Sequence, residues 1–510
     1  MIRLLLPLLL LVGCATPRVS APPPSMPREE PAPAPPAAAE VAPVPPAAEP
    51  ALPPEVPSLA PRVPFTIEPL AQDRALAQAA YRQGVAALKA REFPAAVQHL
   101  STCAAHQTRR ADCRWELGWA LFQSARWQEA RDVWTQVAQG RRGDPQVEKA
   151  LALVEAQARL QETLDAAEAF PPPPLEPAPP DSRLRLRAVG DVMLGTDFPA
   201  GLLPPDDGAS VLQAVAPLLA DADLTFVNLE GPLCDSGSTA KCGKRGGNCY
   251  AFRSPTRYAD HLVTAGVDLA STANNHSGDF GEGCRRETEQ ALDARKIAWS
   301  GPPGTVATKL HQGLRIGMVA FHTNPATQHL LDLETARRLV RATAQTHHLV
   351  VVSFHGGAEG ASKQHVPPGS EFFFGEDRGD LRRFAHAVVE AGADLVLGHG
   401  PHVLRGMELY QDRLIAYSLG NFATYGPFTL SGPQGLGAIL EVVLDPEGRF
   451  VGGQLLPTRQ VGEGIPQPDP EKKALERVRT LSREDFPDTY LEVGEDGTLS
   501  RPAPSTVSRR

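Results

Sequence analysis

The 510-residue chain has no long run of lysine or arginine, and no basic patch interleaved with aromatic residues. Its net charge is −9. Together these give no nucleic-acid signal, and no nucleic-acid partner is expected. The apolar start, Leu4 to Val12, is too short to cross a bilayer as a mature helix. Cysteine is scarce, at seven residues. Proline is not: the 51 prolines far exceed ordinary usage, and many fall near the N-terminus. Length predicts two to four domains, and 42% apolar residues suffice for ordinary cores.

Arg3 followed by the short apolar run reads as an export signal over residues 1–13. The run ends Leu11-Val12-Gly13-Cys14, which resembles a bacterial lipobox. That resemblance implies cleavage before Cys14 and lipidation of its thiol, with more than one acyl chain for stable anchoring. A plain cleaved signal is the rival. Ala15, rather than Asp, follows Cys14. In a Gram-negative cell this resembles sorting to the outer membrane, facing the periplasm. The six remaining cysteines are an even number, which suggests disulfides in an exported protein. Cys103 and Cys113 make a local pair. Cys234, Cys242, Cys249 and Cys284 allow three pairings. A zinc site from Cys242 and Cys249 competes with these, although the spacing is poor for a zinc knuckle.

Residues 14–64 are dominated by Pro and Ala and favour an extended spacer. At about 3.1 Å per residue such a stretch reaches on the order of 150 Å. Residues 73–170 read as helical, with an internal repeat. Tyr81, Gly84, Phe93, Ala96 and Leu100 recur 34 residues later as Trp115, Gly118, Trp127, Ala130 and Trp134. That is the tetratricopeptide period. Two repeats are fewer than the three usually needed, so the helix from about Pro145 to Phe170 is expected to act as a cap or a degenerate third repeat. A groove for a peptide or protein partner and a plain spacer or docking surface are both open. A second Pro run links residues 171–182. Residues 183–460 alternate short apolar runs with helical segments, which predicts an α/β domain. Residues 461–510 return to Pro and charge, and read as a partly disordered tail.

Nearly every predicted strand of the α/β domain ends in a carboxylate, Asn or His. Leu184 to Val189 leads to Gly190-Asp191. Asp223 to Val227 leads to Asn228-Leu229-Glu230-Gly231. Asp268 to Ala273 leads to Asn274-Asn275-His276. Leu349 to Phe354 leads to His355-Gly356-Gly357, and Leu395 to Leu397 to Gly398-His399-Gly400-Pro401-His402. The carboxyl ends of α/β strands are where such folds build sites. Oxygen ligands mixed with imidazoles suit Mn, Fe, Zn or Co better than a pure Ca or Mg cage. An Asp after a strand is often only a cap or turn residue. Five such elements in one domain are much harder to explain as turns.

These motifs, with Phe252-Arg-Ser-Pro255, Asp279-Phe-Gly281, Gly406-Met-Glu408 and Tyr417-Ser-Leu-Gly-Asn421-Phe, resemble the CapA family of capsule and poly-γ-glutamate synthesis proteins. The resemblance covers about 275 residues. That family is itself similar to calcineurin-like metallophosphoesterases, which implies a four-layer α-β-β-α sandwich behind a small all-α repeat domain. It implies roles as well. Asp191 would bind the first metal and Glu230 would stand at the bridge. Asn275, His355 and His399 would bind the second metal, with His402 returning to the first. His276 would be the catalytic residue that protonates a leaving oxygen or stabilises the attacked phosphate. Two departures stand out. Met193 occupies the place of a usual His, and a thioether is a poor partner for a hard metal. Glu replaces the usual Asp at the bridge.

Three functions follow as expectations. The first is an envelope-anchored protein of surface-polymer synthesis, export or attachment, acting as a metal-dependent hydrolase or transferase on a phosphoester or a poly-γ-glutamyl chain. The second is a non-enzymatic envelope scaffold that binds partners through its repeats. The third is a general periplasmic metallophosphatase, which Met193 disfavours.

Overall fold

The computed structural model describes residues 62–107, 110–198, 200–239, 241, 250–426 and 428–502. The export signal, Cys14, nearly all of the Pro/Ala spacer, Cys242, Cys249 and residues 503–510 lie outside the described residues. Among the described residues no helix is long and apolar enough to cross a membrane.

Five helices come first: α1 (Arg74–Lys89), α2 (Phe93–His106), α3 (Ala111–Gln123), α4 (Trp127–Gly140) and α5 (Pro145–Ala169). The 34-residue repeat has a direct packing counterpart. A side-chain carbon on Gly84 of α1 would collide with Leu100 of α2, and one on Gly118 of α3 would collide with Trp134 of α4. Both pairs therefore approach through the same small-against-large contact, one period apart. Cys103 and Cys113 are bonded across the α2–α3 turn. Asp144 caps α5 by accepting from the Gln146 N–H at 2.9 Å, and Pro145 sits at the first helical position, where no N–H is needed.

The α/β part is a sandwich of two sheets with helices outside each. The first sheet runs, in spatial order, Glu492–Val493, Thr498–Ser500, Phe450–Val461, Leu436–Leu444, Leu184–Met193, Leu224–Leu229, Leu269–Ser271 and Ala298–Ser300. The second runs Met407–Tyr410, Arg413–Ala416, Leu395–His399, Leu349–His355, Leu314–His322 and Ala307–His311. Strand alternation divides the core. Leu184, Leu186 and Ala188 meet Leu349 and Val351 in the cluster between the sheets. Val350, Val352 and Phe354 face outward onto helices Leu333–Ala344 and Leu381–Glu390. Val189 and Val192 face the other outer layer, with Leu262, Ala291 and Leu292. The expected α-β-β-α layering is present.

One expected boundary needs correction. The stretch after residue 460 is not a tail. Helix Lys473–Asp485 buries Ala474, Leu475, Val478 and Leu481, and the next two strands extend the first sheet. The few apolar residues there keep helical spacing, which the surrounding Pro and charge obscure. The Pro-rich link at residues 171–182 has no helix or strand and lies against the domain: Ala178 packs on the inter-sheet core, and His348 Nε2 lies 2.8 Å from the Glu176 carbonyl.

The helix pairs are seated on this sandwich. Leu160 and Leu164 of α5 enter the outer core of the second sheet, each contributing about 1.5–3 kcal/mol by burial. Trp127 Nε1 donates to Asp332 Oδ2 at 2.9 Å. Gln157 Nε2 donates to the Pro325 and Thr327 carbonyls, and Arg338 pairs with Asp165 and Glu168 of α5. Thus α5 caps the helix pairs on one side and docks them on the other.

Candidate metal centre

The central strands of each sheet run parallel, so their carboxyl ends share one edge. Register lines the polar residues up across that edge. In the first sheet Asn421, Asp191, Asn228 and Ser271 are successive Cα partners. In the second, His322, His355 and His399 form the matching row. The first strand slips register between Ala188 and Asp191. Such a bulge re-aims a side chain near a site. A Cβ on Gly190 would strike the Gly420 carbonyl, which leaves room for the Asp191 N–H to donate to that oxygen at 2.9 Å.

Glu230 follows the second strand and is the hub. It is fully buried, and neither of its carboxylate oxygens has a hydrogen-bond partner among the described residues. Around Oε1 stand His402 Nε2 at 3.6 Å, His355 Nε2 at 3.8 Å and His276 Nε2 at 4.0 Å. These gaps are too long for hydrogen bonds. They are close to the separation of two ligands on one divalent ion with bonds of about 2.1 Å. Asp191 Oδ2 lies 3.0 Å from His402 Nδ1. Asp191, Glu230 and His402 can hold a metal ion between them.

Each imidazole is oriented by a neighbour. His402 sits in the left-handed region at φ 59°, a conformation uncommon outside glycine. Its Nδ1 lies 3.0 Å from Asn421 Oδ1. His399 places Nε2 3.1 Å from the Val189 carbonyl, which leaves Nδ1 buried and without a partner. A ring N–H on a backbone carbonyl is the arrangement that frees the other nitrogen for a metal. His355 Nδ1 lies 3.2 Å from Asn228 Nδ2, which also donates to Asp191 Oδ1 at 2.8 Å. His276 Nδ1 is 2.7 Å from Asp279 Oδ2, and Phe252 covers the ring at 4.3 Å between centroids. Asp279 also takes Lys241 Nζ at 2.5 Å and the Phe252 N–H at 3.0 Å. Asn275 Oδ1 is buried and without a hydrogen-bond partner among the described residues.

Burial pushes Glu230 up to about 8, with the Asp191 charge adding to the rise and His402 opposing it. Burial pulls His402 down, but Glu230 and Asp191 outweigh it and hold the ring at about 10. Burial lowers His276 and His399, and takes His355 well below the usual range. Buried carboxylate oxygens and imidazole nitrogens without partners are what a divalent cation would satisfy, so the donor set fits one. Met193 takes no part in it. It is fully buried, and its sulfur accepts the Gly195 N–H at 3.2 Å.

Residues 185–425 match the family profile described as bacterial capsule synthesis protein PGA_cap. That segment is similar to the capsule synthesis family. The chain is 26% identical over 267 residues to the capsule biosynthesis protein CapA of Bacillus anthracis, covering 48% of this chain and 60% of that one. It is 26% identical over 260 residues to the PGA biosynthesis protein CapA of Bacillus subtilis, covering 48% and 63%. A probable polyglutamine synthesis accessory protein of Mycobacterium tuberculosis matches at 24% over 368 residues, covering 61% and 85%. The chain thus spans about three fifths of the first two relatives.

Four residues at the edge of this centre have no role in the sequence reading. Asn228, Asp279 and Asn421 lay inside motifs whose ligands drew the attention. Glu359 lies four residues past His355; its carboxylate is 3.9 Å from His402 Nε2 and 3.3 Å from Arg378 Nη2. Its signal was the Gly356-Gly357 step that precedes it. Of the three open cysteine pairings, the described one joins Cys234 to Cys284.

Proposed function

We propose that this chain acts in the synthesis, export or attachment of a capsule or poly-γ-glutamate type surface polymer, as a metal-dependent hydrolase or transferase. The observation that carries this reading is Glu230, buried with two unpartnered oxygens among three imidazole nitrogens, inside the segment that matches the capsule synthesis family. Asp191, Glu230 and His402 would hold one ion. Asn275, His355 and His399 would hold a second. Mn, Fe or Zn suits the mixture of oxygen and imidazole donors. Such an ion, when bound, would supply Lewis acidity to the reacting group. His276 takes no metal. Asp279 holds its Nδ1, and Nε2 moves the proton to or from the reacting oxygen. Lys241 steadies Asp279 and adds positive charge where an anionic group would sit. The lipid at Cys14 and the Pro-rich spacer tether this domain in the envelope, at the periplasmic face of the outer membrane in a Gram-negative cell. The helix pairs belong to the same body as the catalytic domain.

The test uses the metal-loaded full chain on poly-γ-glutamate and on a simple phosphate ester. Turnover of one of them is expected, with His276→Ala lowering kcat by about 10²–10⁴-fold. Absence of turnover on both with Mn, Fe and Zn would overturn the enzymatic reading.

A further inference from the structure

His322 ends its strand beside His355, the two rings 5.4 Å apart. It is 3% exposed. Its Nδ1 accepts the Asn324 N–H at 2.9 Å. In the neutral ring Nε2 therefore carries the proton and is a donor, not a metal ligand. That donor is buried and has no hydrogen-bond partner among the described residues. Buried donors in native proteins are nearly always paired, so an orphan beside a site points to a ligand that supplies the acceptor.

His322 lines a cavity of about 790 Å³ between the helix pairs and the α/β domain. Asn275, with its own orphaned oxygen, shares the wall. Asn275 also lines the cavity of about 390 Å³ that holds His276, His402, Lys241 and Arg378. Asn275, a proposed ligand, is thus common to the walls of both cavities. Their charges differ. The smaller has Lys241 and Arg378 near the reacting groups. The larger has Asp332, Glu376 and Asp377 against Arg91 alone. A polyanionic chain is repelled by that wall. A neutral, hydroxyl-bearing body finds carboxylate and amide partners there, with the apolar faces of half-buried Phe93 and of Phe372, which is 55% exposed.

We propose that this cavity is a second substrate subsite for an acidic saccharide, whose phosphate or carboxylate oxygen accepts a hydrogen bond from His322 Nε2 while its neutral body lies against the helix-pair wall. The assignment rests on the proposed metal centre for its place in the reaction, but not for binding. The helix pairs then form part of the cleft, with Arg91 and Phe93 setting specificity.

The test is calorimetric titration of the Mn-treated full chain with inorganic phosphate, glucose 1-phosphate, glucuronate and γ-linked triglutamate. One of the two sugar acids is expected to bind at least about tenfold tighter than phosphate, and tighter than triglutamate. Which one wins assigns the anionic group. His322→Phe should weaken the preferred sugar acid by about tenfold. Phe93→Ala, on the half-buried wall, should remove only the advantage over phosphate, with the melting temperature of each variant checking its fold. Tightest binding of triglutamate, or sugar-acid binding unchanged in both variants, would overturn the proposal. Metal content measured on the same samples separates the two readings. Sugar-acid selectivity without bound metal sinks the metal centre alone, and bound metal without selectivity sinks the subsite alone.

Discussion

The first sheet brings Asp191, Asn228, Glu230 and Asn275 to the shared edge, and the second brings His322, His355, His399 and, from the following loop, His402. One side offers oxygen, the other imidazole nitrogen. Each side is electrostatically incomplete. Burial raises Glu230 on the oxygen side and lowers His355 and His399 on the nitrogen side. His402, wedged against Asp191 and Glu230, is the exception and is held protonated. A site assembled from two sheets can thus bury two carboxylates and several neutral imidazoles without local partners, provided a cation completes it.

The comparison can be broken from either side. Glu230→Gln removes the charge that both halves share, and the largest effect is expected there: divalent-metal affinity, followed by calorimetry, should fall by more than the roughly 10–100-fold typical of residues that only orient a ligand. Cys234→Ser opens the 50-residue link between the loop after Glu230 and helix Gly281–Asp293. Loop closure of that length is worth about 4 kcal/mol, to be read by denaturant unfolding under oxidising conditions. Asn228→Leu cuts the one amide that ties Asp191 on the first sheet to His355 on the second. Metal affinity should drop by about 10–100-fold while the fold survives.

A smaller effect tests the electrostatics. Without metal, Glu230 is raised from 4.5 to about 8 and His402 from 6.5 to about 10. In both cases the folded chain keeps a proton that the unfolded chain has released, so stability falls as pH rises. The loss for Glu230 spans about 4.5 to 8, and the contribution of His402, complete below 6.5, is lost toward 10. The Tm of the chelated chain should therefore decline most steeply between pH 6.5 and 8, where the windows overlap, while the metal-loaded chain declines less. Parallel profiles would show that the two sides are not electrostatically incomplete.

The six proposed ligands and His276 were legible because each follows an apolar run with a glycine or a second polar residue beside it. His322 follows such a run too, residues 315–321, with Thr323 and Asn324 beside it, so it carried the same signal and was passed over. Asn228 was hidden by its proximity to Glu230, since only register across the sheet makes it face Asp191. The seating of the helix pairs stood only as one open alternative, a docking surface, and its contacts were not legible. Trp127 recurs in the repeat as a packing residue, and nothing local says that its N–H meets Asp332, 205 residues away. The extent of the domain past residue 460 was lost because amphipathic spacing in Lys473–Asp485 carries few apolar residues among many charges.

The central claim is that the two sheet edges form one divalent-metal site. Its most direct test is elemental analysis of the purified full chain after separate reconstitution with Mn, Fe and Zn, followed by exhaustive dialysis. The account predicts at least one divalent ion retained per chain, and its loss in His399→Ala. No retained ion with any of the three metals would contradict it.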